Sequence, residues 1–231
     1  MTLKKRHDDD ILDMARHWYG YGRWEAKYWF VGPEPGQPEG DNVEGDNLKG
    51  RCKAWIDLGR GELVDCKDHH FGFGWTKWHK ANSPTQPTWR GLIRLLLTIK
   101  NETQPSVNEI RSYQQTHWGM KNDESCVIEL SALAAPKIDA PGDHLLFLEE
   151  RIKEIRQRIL DHKPTFVVMY GEVRKQCWEA IASRPFGPDN ILTIGPTIVA
   201  FARHPVSYGL PSHYWFELAM KLRCQADLNA N

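Results

Sequence analysis

The sequence has no surplus of either charge and no apolar run long enough to cross a membrane. Lysine plus arginine and aspartate plus glutamate each total 30, so the formal net charge is zero. This balance argues against a domain that holds nucleic acid by bulk charge alone, although a local basic patch stays open. No apolar run approaches the roughly 20 residues of a membrane span, and the first ten residues lack the apolar core of a signal peptide. We therefore expect a cytoplasmic protein with no membrane partner.

Cysteine is sparse, and the common phosphate-binding motifs are missing. The five cysteines are odd in number and scattered, which favours reduced thiols over a disulfide framework. Neither G-x-x-x-x-G-K-S/T nor G-x-G-x-x-G follows the first predicted strand. An α/β enzyme acting on a small nucleoside or sugar phosphate is therefore the least favoured function.

The bulk composition is that of an ordinary globular protein, apart from its tryptophans. Hydrophobic residues make up 41% of the chain and charged residues 26%, which suffices for a sizeable core. The ten tryptophans exceed what a core needs, so some are expected to serve as flat contact surfaces. We expect a single domain over residues 1–231, with a long aromatic-rich loop insertion at about residues 37–87.

Four short apolar runs predict buried strands, and amphipathic patterns between them predict helices. The strands are predicted at residues 27–31, 125–133, 165–170 and 197–202. The helices are predicted at residues 8–19, 88–100, 106–118, 142–161, 171–183 and 211–225. Near-continuous apolar strands that alternate with helices indicate an α/β fold, with a parallel sheet covered on both faces.

Two of the predicted strands run into loops that carry an acid and an imidazole. The first strand ends at Pro33-Glu34-Pro35, where the flanking prolines restrict the backbone of Glu34. The last strand runs into His204-Pro205. Groups presented at the carboxyl ends of strands are typical of catalytic sites in α/β folds. We therefore expect Glu34 and His204 to converge on one cleft.

These loops resemble the motifs of the uracil-DNA glycosylase superfamily. Residues 31–36 (Val-Gly-Pro-Glu-Pro-Gly) resemble its first motif, a strand followed by G-x-x-P-G, and residues 203–207 (Arg-His-Pro-Val-Ser) resemble its second, His-Pro-Ser, with one valine inserted. Residues 163–171 are similar to its third strand, and residues 128–136 occupy the place of its second. The resemblance covers about residues 27–223. It implies a three-layer α/β/α fold with a central four-stranded, mainly parallel sheet.

The resemblance implies a DNA glycosylase that flips a nucleotide out of the stack and hydrolyses its N-glycosidic bond. Glu34 would hold the attacking water and stabilise the cation-like sugar, and His204 would donate a hydrogen bond to the departing base. Neither motif carries a lysine nucleophile, so the enzyme would be monofunctional. Base-binding residues are expected at Gly32, Pro33, Phe71, Phe73, Trp75 and Glu129. Contacts to DNA phosphates are expected at Arg203, Ser207, Tyr208 and Arg90.

Several of these residues have an equally simple structural interpretation. The aromatic residues near Phe73 would stack on a base, or would pack a loop onto the core. Glu129 would accept hydrogen bonds from an amino group, as a cytosine-like edge offers, or would form an ion pair on a strand. Ser207 and Tyr208 would bind phosphate, or would form an ordinary turn before the last helix.

The sequence departs from the superfamily pattern in ways that bear on the substrate. Glu34 stands where members usually have Asn or Asp, the stretch around Glu129 has no asparagine to read uracil, and the cysteine pattern of a [4Fe–4S] cluster is missing. These differences favour a modified pyrimidine, such as glucosylated hydroxymethylcytosine in phage DNA, and a role in antiviral defence. One alternative is a uracil-DNA glycosylase of base-excision repair. Another is a non-catalytic DNA-binding module, and in each case we expect a monomer on double- or single-stranded DNA.

One cluster of sulfur and nitrogen ligands lies inside the predicted loop. Cys66 and His69 have a plausible spacing for zinc, with His70, His79 and Cys52 as further candidates. No second close pair completes a standard structural site. We therefore expect neither a metal nor a cofactor.

Overall fold

The computed structural model describes residues 9–35, 44–133 and 145–230, and these ranges contain eight α-helices and seven β-strands. The strands are β1 (Gly20–Tyr21), β2 (Tyr28–Gly32), β3 (Leu63–Val64), β4 (Ser125–Glu129), β5 (Phe166–Tyr170), β6 (Ile191–Ile194) and β7 (Thr197–Ala202). The helices are α1 (Asp9–His17), α2 (Glu44–Asp57), α3 (Cys66–Gly72), α4 (Pro87–Asn101), α5 (Val107–Thr116), α6 (Leu148–His162), α7 (Lys175–Ala182) and α8 (Tyr214–Ala230). The described ranges do not include Gly36, Pro136, the beginning of the predicted loop at residues 37–43, or the predicted helix start at residue 142.

All seven strands belong to one mixed sheet, in the order β3-β1-β4-β2-β5-β7-β6. The four strands expected from the sequence are neighbours, and each pairs in parallel with the next. The expectation of a four-stranded sheet is wrong, because β1 and β3 extend it at one edge and β6 at the other. β1 and β6 are antiparallel to the strands they join, β4 and β7. The missed strands span two to four residues, too few for a periodic pattern to be recognised.

Side chains that alternate along the central strands form two hydrophobic clusters. Phe30 and Val168 belong to the cluster that contains the buried faces of α4 and α8. Val31 and Val167 belong to the second cluster, with α6 and α7. Helices therefore cover both faces of an α/β sheet, as near-continuous apolar strands require, and the arrangement is compatible with three α/β/α layers.

The segment expected to be a long loop contains two helices and a strand. α2, β3 and α3 occupy much of it, followed by a 3-10 helix at Thr76–Trp78. Trp55 and Cys66 from this segment are almost completely buried. Two glycines in α2 concealed the helix, since each glycine lowers helix propensity by about 1 kcal/mol. Packing on the core overrides that preference.

Helix starts follow local capping chemistry. The spacing of Ser106 and Glu109 in the sequence predicts a capping box, and the structure confirms it: the Glu109 N–H donates to Ser106 Oγ, and the Ser106 N–H donates to a Glu109 carboxylate oxygen. Helix α4 begins one residue before the predicted start at residue 88, because the Gln86 side chain caps it by accepting a hydrogen bond from the Trp89 N–H.

All five cysteines are free thiols in the structure, as their scattered positions predicted. Within the described ranges, no helix has the length and apolar character that a bilayer span requires.

A buried arginine joins three elements at the end of β4. Arg151 is 1% exposed, and its guanidinium donates to the carbonyls of Leu130 at 2.7 Å, Glu129 at 2.8 Å and Ala15 at 3.1 Å. It also lies over the ring of Tyr19, 4.2 Å from the centroid. The Arg151 guanidinium therefore links α6 to both β4 and α1.

We expect Arg151→Met to lower the free energy of unfolding by about 3 kcal/mol, because buried carbonyls would lose their donors. Urea denaturation of the full chain measures the change. The matched control is Lys153→Met, an exposed position on the same helix, which should change stability by no more than about 0.5 kcal/mol. Equal stability of the two variants would show that the Arg151 hydrogen bonds contribute nothing.

Candidate functional site

Parallel pairing places the ends of three neighbouring strands at the same edge of the sheet. β2 ends at Gly32, β5 at Tyr170 and β7 at Ala202, and β5 lies between the other two. Glu34 and His204 follow β2 and β7 respectively. Because adjacent strands are about 4.8 Å apart, the strands that lead into these two loops are separated by roughly 10 Å. The two predicted catalytic side chains thus belong to the same edge.

The end of β5 is in contact with both loops. Gly171 has a φ of 101°, and a Cβ atom on it would lie 3.7 Å from the Pro33 ring and 3.8 Å from the His204 ring. The rings of Tyr170 and His204 are 5.6 Å apart. Gly32 is needed here, because a Cβ atom on it would lie 2.2 Å from the Tyr170 hydroxyl. The Glu34 loop and the His204 loop therefore meet across Tyr170 and Gly171.

The Glu34 carboxylate is enclosed but incompletely satisfied. Its side chain is 6% exposed, and its nearest charged neighbour is Arg174, with 3.5 Å between Nη2 and Oε2. Among the described residues, no hydrogen bond of ordinary geometry reaches either oxygen. Burial raises the pKa of Glu34, and Arg174 opposes that rise. The carboxylate can therefore accept hydrogen bonds from a water molecule or a ligand hydroxyl.

Glu129 provides a second buried carboxyl group at the same edge. It lies opposite Gly32 in the β2–β4 register, and its Oε2 has no hydrogen-bond partner among the described residues. Burial raises its pKa to about 8, the nearby Glu34 charge adds to the rise, and Arg51 opposes it. Glu129 is therefore mainly protonated at neutral pH. In that form it both donates and accepts hydrogen bonds.

Glu172 holds the His204 loop in position. One carboxylate oxygen accepts from the Arg203 Nε at 2.9 Å, and the other accepts from the His204 backbone N–H at 3.0 Å. The second oxygen also lies 3.4 Å from Ser207 Oγ. Glu172 thereby fixes three polar groups of the His204 loop relative to the end of β5.

The surroundings of His204 favour a neutral imidazole with one defined tautomer. Burial lowers its pKa, although Glu172 opposes the shift. The Val206 N–H donates to Nδ1 at 3.4 Å, so the ring proton is assigned to Nε2. His204 therefore presents an N–H donor without a net charge.

The residues predicted to contact phosphate differ in their availability. The Arg203 side chain already binds Glu172 and the Tyr208 carbonyl, the latter at 3.0 Å. A phosphate would have to compete with these partners. Tyr208 is 100% exposed, and Arg90 is exposed in the first turn of α4.

The three predicted base-stacking aromatics occupy different environments. Phe71 is 49% exposed. Phe73 packs against the ring of His69, with 5.0 Å between the ring centroids, and Trp75 packs against the ring of His70, with 5.9 Å between the centroids. Phe73 and Trp75 therefore make contacts of the kind expected for a packed segment, whereas Phe71 presents its ring to solvent.

Some residues of this edge were missing from the sequence-based site. Glu172 and Arg174 directly follow a predicted buried strand, so their position alone was a usable signal. Arg51 carried no such signal, because its helix was hidden inside the predicted loop. Its place near Glu129 depends on tertiary packing, through a 3.4 Å hydrogen bond to the Ala132 carbonyl.

Titration of Glu129 should make stability depend on pH. Its pKa of about 8 lies above its ordinary value of 4.5, so the folded chain holds a proton that the unfolded chain releases between these values. Stability contributed by the protonated group is therefore lost as pH rises towards 8. Glu129→Gln lacks this titration. As the pH rises from 5.5 to 8.5, the free energy of unfolding of the variant should therefore increase by about 2 kcal/mol or more relative to that of wild type.

Chemical denaturation at the two pH values measures this difference. Glu149→Gln removes an exposed carboxyl group and should leave the wild-type pH dependence unchanged. Parallel stability profiles for wild type and Glu129→Gln would contradict the assignment.

Comparison with known proteins adds no family to this description. No protein-family model matches the sequence, and no curated protein matches it.

Proposed function

We propose that this chain is a monofunctional DNA glycosylase with a fold of the uracil-DNA glycosylase type, built on the parallel strands β4, β2, β5 and β7. The observation that carries the proposal is the meeting of the Glu34 and His204 loops across the end of β5. Ligand sites of α/β sheets commonly lie beyond the carboxyl ends of such strands. The partner is DNA with one nucleotide flipped out of the stack, and the protein acts as a cytoplasmic monomer.

The chemistry follows from the two side chains. The bond between the sugar C1′ and the base nitrogen breaks, and its electron pair leaves with the base. The His204 Nε2–H stabilises the negative charge that develops on the base carbonyl. Water attacks C1′, and the Glu34 carboxylate orients the water and takes its proton, which the departing base finally receives. Both groups act on charge that is present mainly in the transition state.

Glu129 is the candidate group for reading the base. Protonated, it donates to N3 and accepts from the N4 amino group of a cytosine-like edge. This pairing supports a modified cytosine, such as the glucosylated hydroxymethylcytosine of phage DNA, and a role in antiviral defence. A protonated carboxyl group can also pair with the N3–H and O4 of uracil, so uracil removal in base-excision repair is the alternative substrate assignment.

The tip of the His204 loop is suited to enter the DNA stack. Val206 is 55% exposed and Tyr208 is 100% exposed, while Glu172 holds the loop from behind. Exposed apolar and aromatic side chains that are rigidly presented can separate stacked bases. Tyr208 would then fill the space left by the flipped nucleotide.

A second candidate function is a DNA-binding module without catalysis. The specific observation in its favour is the enclosure of Glu34, whose carboxylate faces Arg174 and is nearly inaccessible. If that pair persists on DNA, no water reaches the sugar. Such a protein would bind DNA and leave no abasic sites.

We expect Glu34→Gln and His204→Ala each to lower the rate of base release by about 10²-fold or more, because each removes one group that acts in the transition state. Single-turnover detection of abasic sites measures the rate. Glu149→Gln, which changes an exposed carboxyl group on α6, is the control and should keep the wild-type rate. Near-wild-type rates in both site variants would end the assignment of these residues.

We expect glucosylated hydroxymethylcytosine DNA to yield abasic sites in a panel that also contains uracil and thymine-mismatch DNA. The reason is that the stretch around Glu129 has no asparagine to read uracil, whereas a protonated Glu129 matches the N3 and N4 groups of a cytosine-like edge. Cleavage of uracil DNA alone would instead select the repair function. DNA binding without abasic sites on any member of the panel would select the non-catalytic module.

A further inference from the structure

A sulfur and two imidazoles converge in a buried cluster within the segment that was expected to be a loop. Cys66 begins α3, His70 lies one turn later, and His79 follows the 3-10 helix. All three residues are buried, and one potential ligand atom from each lies within 4.8 Å of the others. Among the described residues, this is the one group of three or more His, Cys, Asp or Glu side chains that could hold a metal ion.

The spacing of the two imidazoles is close to that of a metal site. His70 Nδ1 and His79 Nε2 are 2.9 Å apart, a distance at which a single proton joins them. In a tetrahedral zinc site, ligand nitrogens and sulfur are about 3.3–3.6 Å apart, given bonds of about 2.0–2.3 Å. If the two nitrogens moved apart by a few tenths of an ångström, the hydrogen-bonded pair would therefore have the spacing of two metal ligands.

The groups around the cluster are arranged to orient His70 as a ligand. The Tyr21 hydroxyl lies 3.2 Å from Nε2, the nitrogen that would face away from a metal. The Trp89 ring stacks on His70, with 5.5 Å between centroids and an interplanar angle of 12°. Second-sphere contacts of this kind fix the ring orientation and tautomer of metal-bound histidines.

His79 has no competing interaction at its second nitrogen. Its Nδ1 is buried and lacks a hydrogen-bond partner among the described residues. Leaving a buried polar atom unsatisfied is unfavourable, and nothing at Nδ1 holds the ring against a small reorientation. His79 can therefore adjust to an ion without breaking a hydrogen bond at Nδ1.

The arrangement differs from the sequence pattern, which paired Cys66 with His69. His69 Nε2 lies 3.0 Å from the Arg51 carbonyl, and its Nδ1 lies 3.4 Å from the Tyr21 hydroxyl. Both histidines are about one helical turn from Cys66, so sequence spacing could not distinguish them. Tertiary contacts assign His69 to the backbone of α2 and leave His70 for the cluster.

We propose that Cys66, His70 and His79 bind one divalent transition-metal ion of the zinc class, with a water molecule as the fourth ligand. One thiolate and two imidazoles form a donor set suited to zinc and unsuited to magnesium or calcium. Binding transfers the thiol proton of Cys66 to solvent, and no electron is exchanged. The ion fastens the segment that carries Phe73 and Trp75 to α3. This inference does not depend on the proposed glycosylase activity.

Cobalt substitution of the full-length chain tests the site directly. The protein is freed of metal with a chelator and titrated with Co²⁺, then with Zn²⁺. Wild type should bind one equivalent with thiolate-to-cobalt charge-transfer absorption, and Zn²⁺ should abolish the absorption. Cys66→Ser should lose the band. Cys126→Ser, which alters an equally buried thiol on β4, should retain it.

Substitutions of His79 give a second set of outcomes that does not rely on Cys66→Ser folding. His79→Ala should weaken Co²⁺ binding by at least about 10-fold. His79→Cys exchanges one zinc ligand for another and should retain one equivalent with stronger charge-transfer absorption. Failure of wild type to take up Co²⁺, or a band of full intensity in Cys66→Ser, would overturn the proposal.

Discussion

Parallel pairing of four neighbouring strands is the constraint on which the candidate site depends. Because β4, β2, β5 and β7 all run in the same direction, every residue that follows one of them appears at the same edge. Burial of both faces fixes the register, since a one-residue slip would exchange the side chains of the two hydrophobic clusters. Residues far apart in sequence, such as Glu34 and His204, thus reach the same edge without any direct link between their loops.

The same edge concentrates groups that are unfavourable to bury. Glu34 and Glu129 lie within electrostatic reach of each other, and each is opposed by an arginine, Arg174 or Arg51. A fold that needed only stability would place apolar side chains here. Strongly shifted pKa values at a strand edge are typical of functional sites. Burial raises the pKa of both carboxyl groups, and the value of about 8 for Glu129 keeps that group mainly protonated at neutral pH.

Arg51 connects this edge with α3, the helix that carries Cys66 and His70. Its guanidinium lies near Glu129 and donates to the Ala132 carbonyl, while its own carbonyl lies within hydrogen-bonding distance of the His69 ring. α2 is thus held between the sheet edge and α3. The segment that was expected to be a loop insertion is consequently an integral part of the core, to which it contributes Cys52, Trp55 and Cys66.

Local sequence patterns determined much of this protein. The four central strands, the capping box at Ser106 and the two loops that carry Glu34 and His204 could be predicted, because apolar runs, caps and prolines act within a few residues. Tertiary structure alone decided the short strands, the helix α2, the protonation of Glu129 and the choice of His70 over His69 beside Cys66. Each of these depends on burial or on a partner distant in the chain, and neither is encoded in a local window.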